Sequence, residues 1–183
     1  MTSAADIDFR ENWLGVGLKR PGYAVRVVNE RVARGSAGIL FALGLSALLA
    51  YAMTGWRQPL QMFAIFFLLD MSLRLFVDVR VSPTMALASV FVTRQQPEWV
   101  SAEQKSVAWL LGLIMAFTSC FVMGMIGAPA LVTILLCGVC LLLLFAETAF
   151  GFCFGCWLYR VVFKRDVEHC PGGVCQHSPR ERV

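Results

Sequence analysis

Charge is scarce in this sequence. Of its 183 residues only 15% are Asp, Glu, Lys or Arg, against 58% hydrophobic, whereas soluble domains carry about 25% charged residues. With a mean hydropathy of +0.67, that shortage excludes an ordinary soluble domain and points to an integral membrane protein. Common catalytic signatures are missing as well: there is no glycine-rich phosphate loop, no His-Glu-x-x-His pair and no Gly-x-Ser-x-Gly elbow. No internal repeat or low-complexity tract interrupts the chain. The first residues, Met1 to Asp8, are acidic and lack the basic and apolar regions of a secretory leader, so insertion is expected to be directed by the first spanning helix. The length leaves room for one compact unit.

What is abundant is apolar sequence of spanning length, about 20 residues per pass. The first run covers about Ala37 to Gly55 and ends in the polar turn Trp56-Arg57-Gln58-Pro59. The stretch Asn29 to Arg34 is expected to start a helix continuous with it. The second run covers about Leu60 to Val79. A third and fourth come from the uncharged stretch Ser106 to Ala146, punctuated by Gly127-Ala-Pro129. The fourth, from near Ala130, is expected to continue helically to about Phe163. Between spans two and three, Ser82-Pro83 reads as an N-cap and first-turn proline. It opens a short helix, Thr84 to Thr93, expected to lie in the membrane interface. The fold class is therefore all-α: four transmembrane helices with a short interfacial helix. Residues 1–36 form an amphipathic N-terminal segment, 37–163 the transmembrane domain and 164–183 a Cys/His-containing tail.

The distribution of cations sets the expected orientation. Arg10, Lys19, Arg20, Arg26, Arg31 and Arg34 precede the first span. Arg80, Arg94 and Lys105 fall between spans two and three, and Arg160, Lys164, Arg165, Arg180 and Arg182 follow the fourth. The other side holds Arg57. Both termini are thus expected in the cytoplasm. The net charge of +4 reflects topology and lipid headgroups, and nucleic acid is not an expected partner.

Span two carries Asp70, Arg74 and Asp78, four residues apart on one slowly drifting stripe. Charges at membrane depth are costly unless paired, so they face the bundle interior. They read either as an ion ladder joined by Glu147 of span four or as a proton- or anion-handling site.

The seven cysteines fall into three groups. Cys120, Cys137 and Cys140 lie inside spans and read as packing, although Cys137-Gly-Val-Cys140 is a possible second dithiol. Cys153-Phe-Gly-Cys156 sits where the last apolar run meets basic residues. Two sulfurs one turn apart can close a disulfide, exchange electrons or grip a soft metal; the alternative is packing. Gly151 and Gly155 form a Gly-x-x-x-Gly that admits close helix approach. In a regular helix Cys137, Cys140, Glu147, Gly151 and Gly155 share one side. Cys153, Cys156 and Arg160 share nearly the opposite one. Glu147 is then out of reach of the dithiol, and Arg160 favours its thiolate. The tail residues His169, Cys170, Cys175 and His177 have ligand types suited to zinc or another soft metal. They can equally form a mobile dithiol exchanging with Cys153 and Cys156, or an incidental tail. A cytoplasmic location argues against a static disulfide.

Val28-Asn-Glu-Arg31 with Arg34, the turn Arg80-Val-Ser82-Pro83, and above all Gly151-Phe-Cys-Phe-Gly-Cys-Trp-Leu-Tyr159 make the chain resemble a bacterial membrane family catalogued as domain of unknown function 4395. The likeness runs from about Val27 to Tyr159. It implies a four-span protein whose Cys-x-x-Cys is the shared chemical feature. It also implies thiol or sulfur metabolism, with thioredoxin-like or rhodanese-like soluble partners. The CPGGVC tail and the charges Asp70 and Asp78 depart from that pattern.

The leading expectation is a thiol-redox or sulfur-relay protein of the bacterial inner membrane. Cys153 and Cys156 would exchange, Arg160 would tune the thiolate, and Cys170 and Cys175 would relay to a soluble partner. The alternatives are a small permease or channel component lined by Asp70, Arg74, Asp78 and Glu147, working as an oligomer, and an accessory subunit of a larger membrane complex packing through Gly151 and Gly155.

Overall fold

The computed structural model describes residues 15–20, 25–125, 127 and 129–163. Among them, four helices are long and apolar enough to cross a membrane: Glu30–Thr54, Gln58–Phe76, Ala102–Gly124 and Leu131–Phe150. The architecture is an all-α bundle with four spans. In chain order the elements are strand β1 (Val27–Asn29), helices α1 (Glu30–Thr54), α2 (Gln58–Phe76) and α3 (Pro83–Val92), strand β2 (Trp99–Ser101), and helices α4 (Ala102–Gly124), α5 (Ala130–Phe145) and α6 (Phe154–Phe163).

Local chemistry sets the boundaries of α1 and α3. Asn29 caps α1 by accepting the Arg31 amide, and Gly55 ends that helix in the left-handed region at φ 70°, where glycine is unstrained. Ser82 caps α3 by accepting the Met85 amide, with Pro83 in the first turn. The cap on α3 was expected. Helix α3 packs on α1 where Gly35 leaves room for Ala88.

The core is a stack of Leu40, Phe67, Met71, Trp109 and Leu144 between the spans. Its outside is apolar too: Leu49, Met53, Met62, Leu69, Phe117, Leu131 and Leu142 are all more than half exposed, the surface a lipid phase would cover.

Two features were not expected. The first is the antiparallel pairing of β1 with β2, in register Val27 with Ser101 and Asn29 with Trp99. Backbone bonds Glu30 N–H to Glu98 O (2.7 Å) and Ala102 N–H to Arg26 O (2.9 Å) extend it. This clip draws together the first turns of α1 and α4. The second is a break in the last helix. Helix α5 passes into a π-helical turn, Ala146–Phe150, and residues 151–153 are not helical before α6 begins. The continuous helix expected to Phe163 is therefore corrected to two helices with a bend at Gly151.

Candidate functional site

Gly151 makes that bend. It lies at φ 66°, a left-handed conformation that ends a helix cheaply only for glycine. Its amide donates to Glu147 O and that of Phe152 to Ala146 O, both at 3.1 Å. Arg34 of α1 donates to Thr148 O at 3.2 Å and lies against Gly151. So Gly151 is a helix terminator, and the expected Gly-x-x-x-Gly face is replaced by two separate roles. Gly155 is the packing residue: a β-carbon there would overlap the Ala108 backbone, which seats α6 directly on α4.

The break relocates the dithiol. Cys153 immediately precedes α6; its carbonyl accepts the Trp157 amide at 3.0 Å, and its Sγ accepts the Cys156 amide at 3.3 Å. The sulfur thus stands where a Ser or Asp oxygen caps a helix, at the positive end of the helix dipole. A thiolate is favoured there. Hydrogen bonding with the neighbouring Cys156 thiol holds the Cys153 thiol below its ordinary range, against the effect of burial and helped by the nearby Lys105 ammonium. The same bond, and then burial, push Cys156 up. Of the two, Cys153 is the one whose thiolate is favoured.

Lys105, in the first turn of α4, is the cation of this site. Its Nζ lies 2.8 Å from Glu147 Oε1 and 3.1 Å from Glu30 Oε2, and its side chain is 2% exposed. Two carboxylates around one ammonium leave the cluster formally one negative charge in excess. The expectation that Glu147 stands opposite the dithiol does not hold: Glu147 and Lys105 both act electrostatically on Cys153 and Cys156. The bend at Gly151 turns α6 back toward the face that carries Glu147. A cavity of about 70 Å³ joins them, lined by Glu147, Cys153, Gly155, Arg74, Trp109 and Cys140. That volume has room for a few water molecules.

Next to it lies a second polar cluster. Asp70 and Arg74 form a fully buried ion pair. Ser82 Oγ donates to Asp70 at 2.7 Å, the Thr84 amide does so at 3.2 Å and the Thr84 hydroxyl at 2.9 Å. Arg74 donates to Thr84 Oγ1 at 2.6 Å and lies over the Trp109 ring at 5.6 Å. The start of α3 thereby supplies partners to both charges of α2. Asp78 is not part of this network. Helix α2 ends at Phe76, and the exposed Asp78 carboxylate accepts the Arg80 amide at 2.8 Å in the following turn. The expected ladder is corrected to Asp70–Arg74–Ser82–Thr84.

A family profile described as Domain of unknown function (DUF4395) matches residues 28–164. The chain belongs to that family. No curated protein and no solved structure matches it. The DUF4395 match includes every residue of both clusters.

Elsewhere in this DUF4395 protein, Cys137 is buried with Ala47, Tyr51, Leu60 and Met123, whereas Cys140 faces the cavity. All five described cysteines are free thiols. Among the described residues no group of three or more His, Cys, Asp or Glu could hold a metal ion. The tail candidates His169, Cys170, Cys175 and His177, and the side chain of Arg160, lie outside the described residues. Lys105 and Glu30 are the site residues that sequence reasoning missed. A signal was present: Lys105 and Glu147 bracket the uncharged run Ser106–Ala146, and two passes return both ends to the same side.

Proposed function

We propose that this DUF4395 protein is a thiol-redox or sulfur-relay protein of the bacterial cytoplasmic membrane, with both termini and the dithiol on the cytoplasmic side. One observation carries the reading: Cys153 Sγ accepts the Cys156 amide at 3.3 Å at the start of α6. A thiolate so placed is a nucleophile held at the boundary of the last span, beside its resolving partner.

The exchange runs in two steps. Cys153 thiolate attacks a disulfide of a soluble thioredoxin-like protein. A mixed disulfide forms and one partner sulfur leaves as thiolate. Cys156 then loses its proton and attacks Cys153 Sγ, which expels the second partner thiolate. The partner gains two electrons and the Cys153–Cys156 disulfide forms. Run in reverse, a reduced partner restores the dithiol. With a rhodanese-like partner, Cys153 would instead attack the outer sulfur of a persulfide and the partner would leave as thiolate. Arg160, one turn beyond Cys156, belongs to this reading as a further cation. Cys170 and Cys175 belong to it as relay thiols.

Trapping tests it. A Cys156→Ser protein in native membranes should accumulate a mixed disulfide through Cys153 with an added oxidised thioredoxin-like protein, and Cys153→Ser should not. Absence of any adduct, with Cys153 unreactive to alkylation unless detergent is added, would leave the pair as packing residues.

The cavity between Arg74 and Glu147 favours a second reading, a small permease component. Against it, Arg74 is already paired with Asp70 and bonded to Thr84. The accessory-subunit reading loses one of its surfaces, because Gly155 is already covered by Ala108.

A further inference from the structure

Resting on the thiol-exchange reading above, we infer that Glu147, held by Lys105, accepts the proton that Cys156 must lose before it can resolve the mixed disulfide. The need is chemical. The resolving thiol lies beside Cys153, its amide on the Cys153 sulfur, and of the two it is Cys153 whose thiolate is favoured. Once Cys153 is bound to a partner sulfur, that charge is gone and Cys156 can ionise. Its proton still needs an acceptor inside the protein. Glu147 lines the cavity that Cys153 also lines, its Oε1 2.8 Å from Lys105 Nζ.

The groups facing Glu147 support this assignment. From α4 comes Lys105, from α1 Glu30 through the same ammonium, and from α1 also Arg34, bonded to the neighbouring Thr148 carbonyl. From α2 comes Arg74, already matched by Asp70. Just before α6 comes Cys153 and from α5 Cys140, both lining the cavity, and Cys156 of α6 feels Glu147 electrostatically. Two carboxylates share one unmatched cation, so the Lys105 cluster gains neutrality when it takes a proton. Glu147, Cys153 and Gly155 line one space of about 70 Å³, and Cys156 adjoins it through Cys153, so water there can carry the proton to Glu147. Cys156 thiolate then forms the S–S bond to Cys153, the partner sulfur takes the electron pair of the bond that breaks, and Glu147 later returns its proton to solvent. The π-turn at Ala146–Phe150 and the bend at Gly151 are what bring carboxylate and dithiol to one cavity. Both features lie in the segment that a straight helix would have kept apart.

The test separates the two chemical steps. Full-length protein lacking the other five cysteines is mixed with the aromatic disulfide 5,5′-dithiobis(2-nitrobenzoate), and release of the coloured thiolate is followed by stopped flow. The first equivalent reports attack by Cys153, the second resolution by Cys156. Glu147→Gln should slow the second phase by roughly 10²-fold, the scale of general-base catalysis, and leave the first unchanged or slightly faster. Its second phase should rise with pH as hydroxide replaces the missing base. Glu147→Asp should restore most of the rate, and Asp78→Asn should match the parent. Equal slowing of both phases in Glu147→Gln, or no slowing of the second, would overturn the assignment. A parent protein that releases only one equivalent would instead overturn the exchange reading itself.

Discussion

Gly155 of α6 rests on the backbone of Ala108 in α4, with no room for a β-carbon between them. That contact positions everything after the bend: it fixes the start of α6 and therefore the place of the Cys153 sulfur relative to Lys105, one turn before Ala108 on the same helix.

Gly155→Ala is thus expected to act on stability and chemistry together. Overpacking at a close backbone contact costs about 1–3 kcal/mol, read as a lower melting temperature in detergent. Displacing α6 should also remove Cys153 from the Lys105 ammonium and shift its alkylation toward the range of an ordinary cysteine, near pH 8.5. A variant that melts and alkylates like the parent would mean that α6 is not seated on α4.

The buried pair in α2 should be interdependent. Arg74→Leu alone leaves the Asp70 carboxylate buried without its cation, a loss of about 3–5 kcal/mol. Adding Asp70→Asn should recover part of that loss, because the remaining amide still bonds Ser82 and Thr84. Asp78→Asn, at an exposed turn, should stay within about 0.5 kcal/mol of the parent. Melting the four proteins checks this, and a double variant less stable than Arg74→Leu alone would contradict the pairing.

The spans and the start of α3 were legible because hydrocarbon demands long apolar runs and because Ser82 and Pro83 carry distinct capping chemistry. The bend was not. The sequence around Gly151 is apolar on every side, so no periodicity marks where one helix stops. A glycine there reads equally as a packing residue or a terminator. The faces assigned to Glu147 and Cys153 followed from helical angles that hold only for an unbroken helix. Asp78 failed for a related reason: its four-residue spacing fits a helix that has already ended at Phe76. The Asp70–Arg74 pair stood in the pattern, but its hydroxyl partners come from α3, which no local pattern links to α2. Lys105 looked like one more loop cation because the β1–β2 clip that buries it is made of two three-residue strands, too short to stand out from sequence.

Orientation rests on charge asymmetry. Single cysteines placed at Gln58 and at Ser178, in a background without accessible thiols, should respond oppositely to a membrane-impermeant maleimide in intact cells. The Gln58→Cys protein should label and the Ser178→Cys protein should not. The reverse pattern would put the dithiol outside the cytoplasm, where a stable disulfide becomes its ordinary state.

Charge at the dithiol should read out with opposite signs from its two neighbours. Cys153 is held down first by the hydrogen bond from Cys156, with the Lys105 ammonium adding to it and Glu147 opposing it. Removing a cation disfavours the thiolate, so alkylation of Cys153 in Lys105→Gln should require higher pH. Removing an anion favours it, so Glu147→Gln should alkylate at lower pH. Because Lys105→Gln leaves Glu30 and Glu147 facing each other without their ammonium, the double variant Lys105→Gln with Glu147→Gln is the safer comparison. Its profile should fall between the two. Iodoacetamide rates measured from pH 5 to 10 on full-length protein in membranes give all four curves. If Lys105→Gln and Glu147→Gln shift in the same direction, the change comes from a loosened α6 and not from charge. If neither shifts, Cys153 is governed by the start of α6 alone, and Lys105 serves only to close the bundle.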